Sequence, residues 1–313
     1  MISYQPRLSD LAFGVVREQF ALLRSHEAGT RAGDDPEELH DMRVATRRLR
    51  AALRCFQDVL PPSATHLNEE LGWLASGLAA VRDLDVQLLR LQDLAAIVSE
   101  QEQASLAAVR DVLTADRDEA RASLIGLLDS ERYAALPKLA FDLLGEVVVD
   151  RADPTVADAA GEVLAGPFQS LRKAGNRLNR DSPPDEFHAL RKRAKRLRYT
   201  LEFVANQDSP AARRFLRRLV VLQDLLGEHQ DAEVAVAHLR ALAERVSAPP
   251  SVLFAMGELA QRRAVEAVQL RARFEHAYRP VVGKEWRRLH RRLGGPSQVT
   301  PPEQADQHAP QGS

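Results

Sequence analysis

The chain carries the same basic helical motif twice, and this internal repeat restricts the fold more than any other feature. The first copy occupies positions 40–54 and the second positions 188–202, a shift of 148 residues from position 40 to position 188, without a gap. The aligned pairs are His40 with His188, Arg43 with Arg191, Arg47 with Lys195, Arg48 with Arg196, Leu49 with Leu197, Arg50 with Arg198 and Leu53 with Leu201. Ungapped self-similarity at a fixed offset indicates one structural unit present in two copies.

Helical periodicity places the positive charges of each copy on one narrow face. At about 100° per residue, Arg47, Arg50 and Arg54 lie within about 40° of Arg43, and His40 within about 60°. We call this face stripe 1 and its counterpart stripe 2; stripe 2 consists of His188, Arg191, Lys195 and Arg198. Each copy also has a separate apolar face, formed by Met42, Leu49, Leu53 and Phe56 in the first and by Leu190, Leu197, Leu201 and Val204 in the second. Each helix is therefore expected to pack on one face and to present cations on the adjoining one.

Acidic residues are nearly absent from both copies. Solvated helices usually intersperse Glu with Lys or Arg at i,i+4, whereas the first copy has five Arg against Asp41 and the second has six Lys or Arg against Glu202. The whole chain has 43 basic and 44 acidic residues, so basic residues are not in excess. They are instead concentrated in a few helices, which include both copies of the motif. Two self-repelling stripes favour a linear polyanion, because arginine forks bind phosphate in a bidentate manner. The alternative is that these arginines pair with acids on neighbouring helices.

The composition predicts an all-α protein. Ala, Leu, Arg and Glu are abundant, and no stretch alternates in the manner of a strand. The repeat register extends over about 20–86 and 168–234. It predicts two pseudo-twofold-related helical bundles, each like a four-helix bundle, at about 8–149 and 155–293 within one domain of residues 1–293. Their two stripes would form a central basic groove or pore, and the Gly- and Pro-rich segment 294–313 is expected to be a disordered tail.

Local signals predict where several helices begin and end. A first helix is expected from roughly Leu8 to Ala28, and the stripe 1 helix from the segment 34–38, which offers an N-cap, a proline in the first turn and a capping-box acid. The segment 82–85 resembles a break followed by a new helix, and Gly227 resembles a C-cap. On this interpretation Asp83 and Asp231 are caps.

Other candidates follow from matches between the halves and from charge clusters. Arg24 aligns with Arg172, and Arg218 belongs to a basic cluster that would extend the groove. A rival hypothesis is a metal-dependent phosphohydrolase that uses Asp83, Asp85, Asp231 and Glu233. No phosphate-binding Gly-rich loop, nucleophile elbow, HExxH or CxxC is present, which argues against an enzyme. No metal site or cofactor is expected.

Nucleic acid is the second rival ligand. The sequence lacks the interleaved aromatics that stack on single strands, and Tyr199 is the only aromatic near a stripe. A single cysteine, Cys55, no secretory signal and no apolar run of about 18 residues predict a cytoplasmic protein without a membrane segment. We expect a monomer or a weak oligomer.

Four motifs in order resemble the CHAD family: His40–Arg50, Val81–Val86, the His188 motif and Leu222–Asp231. The resemblance covers about residues 8–293. It implies two four-helix bundles around a basic cavity that binds inorganic polyphosphate, and some members lie on polyphosphate granules. By motif position, the implied binding residues are Arg43, Arg47, Arg48, Arg50, Arg54, Arg191, Lys195, Arg196 and Arg198, with His40 and His188 at the family's histidine positions. Many relatives also carry a triphosphatase domain; no hydrolase activity is carried over. Glu202 departs from the first copy, which has Arg54 there.

Overall fold

The computed structural model describes residues 6–95, 100–146, 153–205, 209–245 and 249–294. Within these ranges the chain is helical and no strand forms, apart from one isolated bridge between Arg7 and Thr155. The predicted all-α class is therefore confirmed. No helix in the described ranges is long and apolar enough to cross a membrane. The tail predicted for 294–313 lies outside the described residues from position 295 onward.

The order of the helices follows the repeat. The first half contains α1 Leu8–Ser25, α2 Glu27–Ala32, α3 Pro36–Cys55, α4 Ser63–Ala95, α5 Glu100–Leu128, α6 Glu131–Ala134 and α7 Leu136–Gly145. The second half contains α8 Val156–Gly175, α9 Pro184–Val204, α10 Pro210–Arg245, α11 Pro250–Pro280 and α12 Trp286–Arg292, with a π-helical turn at Val281–Glu285. Helices α8, α9 and α10 begin within one residue of the positions that the repeat shift predicts from α1, α3 and α4. The pseudo-twofold axis itself stays a prediction.

Helix packing brings the two stripe helices into contact. In the first half α3 packs between α1 and α4, and in the second half α9 packs between α8 and α10. The halves meet where α3 contacts α9, where α5 contacts α11 and where α1 contacts α8. One hydrophobic core includes buried residues of both halves, such as Leu49 and Leu197, and a smaller core that includes Leu91 and Leu242 joins the far ends of the long helices.

Local sequence explains why α3 begins where it does. Asp35 is the N-cap, its carboxylate accepts a hydrogen bond of 2.9 Å from the Glu37 amide, and Pro36 occupies the first turn. The predicted capping box is wrong, because the Glu38 carboxylate contacts His26 Nδ1 at 2.8 Å. Also contrary to prediction, α1 ends at Ser25 and the separate α2 follows it.

The predicted break at 82–85 and the predicted C-cap at Gly227 are both wrong. Helix α4 runs without interruption through residues 82–85, and α10 runs through Gly227. Asp83 and Asp231, predicted as caps, lie inside these helices. The neighbouring Asp85 carboxylate accepts a hydrogen bond of 2.7 Å from Arg117 Nε on α5. An aspartate whose carboxylate is paired with a neighbouring helix can lie inside a helix and need not be an N-cap.

Candidate functional site

The contact between α3 and α9 brings the two stripe helices side by side. Arg47 Nε donates a hydrogen bond of 3.0 Å to the Tyr199 hydroxyl. The Arg48 guanidinium carbon lies 5.4 Å from the centre of the Tyr199 ring and 5.7 Å from that of Phe203. The Phe56 and Phe203 ring centres are 6.0 Å apart. Aromatic packing and cation–π contacts therefore hold the two basic helices together.

Four cations, two from each half, gather beside this contact. We call them the central cluster; they are Arg43, Arg47, Arg191 and Lys195. Burial, the largest cause, and repulsion by Arg191, Arg47 and Arg43 together lower the pKa of Lys195 to about 8. Burial also lowers the pKa of Arg43, with smaller contributions from Arg47, Arg82 and Arg191. The charged forms of Arg43 and Lys195 are thus destabilised by their neighbours, and an anion between the four side chains would relieve the repulsion.

Several guanidinium donors in this region are buried without a partner. Within the described residues, the Nε atoms of Arg43, Arg50 and Arg191 are inaccessible and make no hydrogen bond. Arg50 packs closely over α4, where a Cβ added to Gly72 would lie 3.1 Å from its guanidinium. An unsatisfied donor of a charged group is costly in the interior. These donors therefore favour an incoming oxyanion.

Two carboxylates face the central cluster from repeat-equivalent positions. Asp83 on α4 raises the pKa of Arg43, and Asp231 on α10 raises that of Lys195, in each case by less than burial and the cations lower it. Positions 83 and 231 differ by the same 148 residues as the stripes. The acids therefore offset the positive charge of the cluster only in part.

The other two acids of the phosphohydrolase hypothesis are held in ion pairs. Asp85 pairs with Arg117 on α5, and its repeat equivalent Glu233 pairs with Arg271 on α11. Arg271 Nε also donates to His229 Nε2 at 3.0 Å. In the part of the chain that the structure describes, no three His, Cys, Asp or Glu side chains come together as a metal site.

A family model for the CHAD domain matches residues 14–240 of this chain. The chain belongs to the CHAD domain family. It is 32% identical over 287 residues to the uncharacterized proteins MT2285 and Rv2226 of two Mycobacterium tuberculosis strains, covering 87% of this chain. It spans about half of those proteins, namely 53% of their length.

Two solved structures share the CHAD fold. The CHAD domain from the plant Ricinus communis superposes with a TM-score of 0.71 at 27% identity, covering 89% of this chain and 92% of that one. PptA from Streptomyces chartreusis has the same TM-score at 22% identity, covering 88% of this chain and 99% of that one. The second likeness concerns the fold alone.

The two histidines of the CHAD motif are only half-buried. His188 hydrogen-bonds to the Gln230 side chain, and its Nδ1 is buried without a partner. Burial lowers the pKa of His188, and Lys192 lowers it further, so the imidazole is neutral at pH 7. The single N–H of the neutral ring is engaged by Gln230, so Nδ1 would donate to an oxyanion only after protonation. Gln230 lies within the motif Leu222–Asp231, but its contact with His188 was not predicted from the sequence.

The remaining candidates of this CHAD domain have other contacts. Arg24 forms an ion pair with Glu27 and lies over the Tyr133 ring. Arg172 lies over the Phe168 ring of its own helix, 5.9 Å from the ring centre, and Arg218 is exposed. None of these contacts involves a stripe residue, and a role for the three in binding stays a prediction.

One basic pocket was missed by sequence reasoning. It is lined by Arg214 on α10 and by Arg288, Arg291 and Arg292 on α12. The two arginine clusters are visible in the sequence as separate groups. Only the packing of α12 on α10 brings them together.

Proposed function

We propose that this CHAD domain binds inorganic polyphosphate through the central cluster and adjoining residues of the two stripe helices. The observation that carries the proposal is the convergence of Arg43, Arg47, Arg191 and Lys195, whose partial burial and mutual repulsion lower the pKa values of Arg43 and Lys195. Polyphosphate is a linear anion with a charged, oxygen-rich unit at each repeat. The guanidinium groups of arginine and the ammonium group of lysine, spaced by helical turns, can contact successive phosphates of such a chain.

The environment of Tyr199 favours polyphosphate over single-stranded nucleic acid. Its hydroxyl accepts a hydrogen bond from Arg47, its ring is covered by Arg48, and the side chain is buried. Tyr199 is therefore occupied and cannot stack on a base, although stacking supplies much of the affinity of single-strand binders. A ligand without bases fits this site better.

We further propose that binding is not accompanied by hydrolysis. Asp85 and Glu233, two of the four carboxylates that a metal-dependent hydrolase would need, are engaged by Arg117 and Arg271. Long-chain polyphosphate incubated with the protein and Mg²⁺ should release no phosphate above the protein-free rate. Release that is lost in Asp83→Asn would contradict this part of the proposal.

The first prediction concerns the affinity itself. Titration calorimetry with long-chain polyphosphate should show binding that weakens steeply as salt increases, because neutralised phosphates release counterions. Arg47→Ala/Lys195→Ala should lower the affinity by at least about tenfold, since charge-assisted contacts contribute more than neutral ones.

The control is Arg291→Ala/Arg292→Ala, which removes the same charge from the α10–α12 pocket. An equal loss in this control would mean that the polyanion responds only to overall charge. Undiminished binding in Arg47→Ala/Lys195→Ala would place the binding site elsewhere. Displacement of bound polyphosphate by equimolar DNA would favour the nucleic-acid hypothesis.

A further inference from the structure

Glu202 interrupts the symmetry of the two stripe helices. It occupies the position that Arg54 holds in the first copy. Its carboxylate accepts hydrogen bonds from Arg48 on α3 at 2.8 Å and from Arg198 on α9 at 2.6 Å, and its side chain is only 12% exposed. One carboxylate thus bridges two guanidinium groups, one from each half.

The equivalent position on the other side of the contact has no such bridge. There Arg196, the counterpart of Arg48, lies near Arg54. Burial lowers the pKa of Arg54, and repulsion by Arg50 and Arg196 lowers it further. The Arg54 side chain hydrogen-bonds to the neutral Asn68 at 3.3 Å, and in the described part of the chain neither Arg54 nor Arg196 forms an ion pair.

A carboxylate bridging two guanidinium forks occupies the place that a phosphate would take. A carboxylate and a phosphate each present a pair of oxygens that matches the paired N–H donors of arginine. A polyanion that sought Arg48 and Arg198 would have to displace Glu202 and leave a buried carboxylate without partners, which is costly. On the Arg54 and Arg196 side, the same contact requires no displacement.

We propose that Glu202 is a built-in competitor that fills one of two equivalent anion positions. Resting on the proposed function, this makes the polyphosphate site one-sided: the bound chain runs from the central cluster towards Arg54 and Arg196 and does not extend to Arg48 and Arg198. Glu202 is then the residue that limits how many phosphates the domain contacts.

The first test compares Arg196→Ala with Arg48→Ala, since the two positions are equivalent in the repeat. Binding of long-chain polyphosphate should weaken on the order of tenfold in Arg196→Ala and no more than about twofold in Arg48→Ala. Equal losses in the two variants, or a larger loss in Arg48→Ala, would overturn the proposal.

The second test removes the competitor. Glu202→Gln frees Arg48 and Arg198, so the affinity should rise on the order of tenfold and its dependence on salt should become steeper by about one or two contacts. In the Glu202→Gln background, Arg48→Ala should now abolish the gain. A gain that survives Arg48→Ala would contradict the assignment.

The matched control is Glu70→Gln. Glu70 is 13% exposed and pairs with Arg132 on α6 at 2.6 Å, so its removal changes the charge equally without freeing a stripe helix residue. An equal rise in both Gln variants would indicate a general charge effect and overturn the proposal. If Glu202→Gln does not fold, as thermal unfolding would show, the comparison of Arg196→Ala with Arg48→Ala decides. Failure of the wild type to bind polyphosphate would overturn the proposed function and, with it, this inference.

Discussion

Lys195 is the residue at which the burial of the central cluster has its clearest chemical consequence. It aligns with Arg47 in the first copy, and it shares its surroundings with three arginines and one aspartate. Burial and repulsion lower its pKa from 10.5 to about 8. An arginine at this position would stay charged at any pH that the fold tolerates. A lysine makes the charge of the cluster sensitive to mildly alkaline pH.

The affinity for polyphosphate should therefore fall as the pH rises from 7 to 9. The polyanion favours the ammonium form, so binding raises the pKa of Lys195 and takes up protons near pH 8. Calorimetry in two buffers of different ionisation enthalpy measures this uptake. Lys195→Arg should remove both effects, and an affinity that is unchanged between pH 7 and 9 in the wild type would contradict the role of Lys195.

The effect on stability has the opposite sign. The folded pKa of about 8 lies below the ordinary value of 10.5, so between these values the unfolded chain holds a proton that the folded chain has lost. The contribution of Lys195 to the free energy of unfolding therefore rises with pH through this window. Polyphosphate should stabilise the fold most at pH below 8.

At the scale of the element, α3 depends on its cap and its buried face. Its basic stripe supplies repulsion and no core contacts, while Met42 and Leu49 are fully buried. The N-terminal end carries the Asp35 cap, and Glu37 and Glu38 complement the helix dipole in the first turn. The equivalent α9 has Pro183 at the N-cap and no side-chain cap. The N-terminus of α3 is thus stabilised by a side-chain cap that α9 lacks.

Asp35→Ala should lower the free energy of unfolding by about 1 kcal/mol, because the Glu37 amide loses its acceptor. Chemical denaturation followed by circular dichroism measures this change. Asp34→Ala, which removes the same charge from the exposed neighbouring residue, is the control and should have a much smaller effect. Equal changes in the two variants would mean that charge and not capping is responsible.

At the scale of the whole molecule, the two halves share one hydrophobic core. Phe56, at the C-cap of α3, and Phe203 of α9 contact each other across the boundary, and the main core includes buried residues from both halves. The contact that stabilises the core also positions the cations. Folding of the halves and assembly of the central cluster are therefore coupled.

We expect calorimetric unfolding to show one cooperative transition. Phe203→Ala should lower the free energy of unfolding by roughly 3–5 kcal/mol and shift the whole transition to lower temperature. Two separate transitions in the wild type, of which Phe203→Ala moves only one, would show that the halves unfold independently.

Much of the fold was predictable because helical periodicity is a local property. The faces that carry Arg43 and Arg47 follow from spacing alone, and the repeat predicted equivalent helices in both halves. The breaks at 82–85 and Gly227 were predicted wrongly for the same local reason. An aspartate looks like a cap in its own sequence neighbourhood, whatever partner a distant helix provides.

The sequence by itself determined the helical class, the repeat, the two basic faces and the resemblance to the CHAD family. Tertiary structure alone decided which charges meet: Lys195 with Arg43 and Arg47, Asp85 with Arg117, and Glu202 with Arg48. The reason is physical. The face on which a side chain lies depends on the few residues of a helical turn, whereas its partners depend on the packing of helices that are distant in the chain.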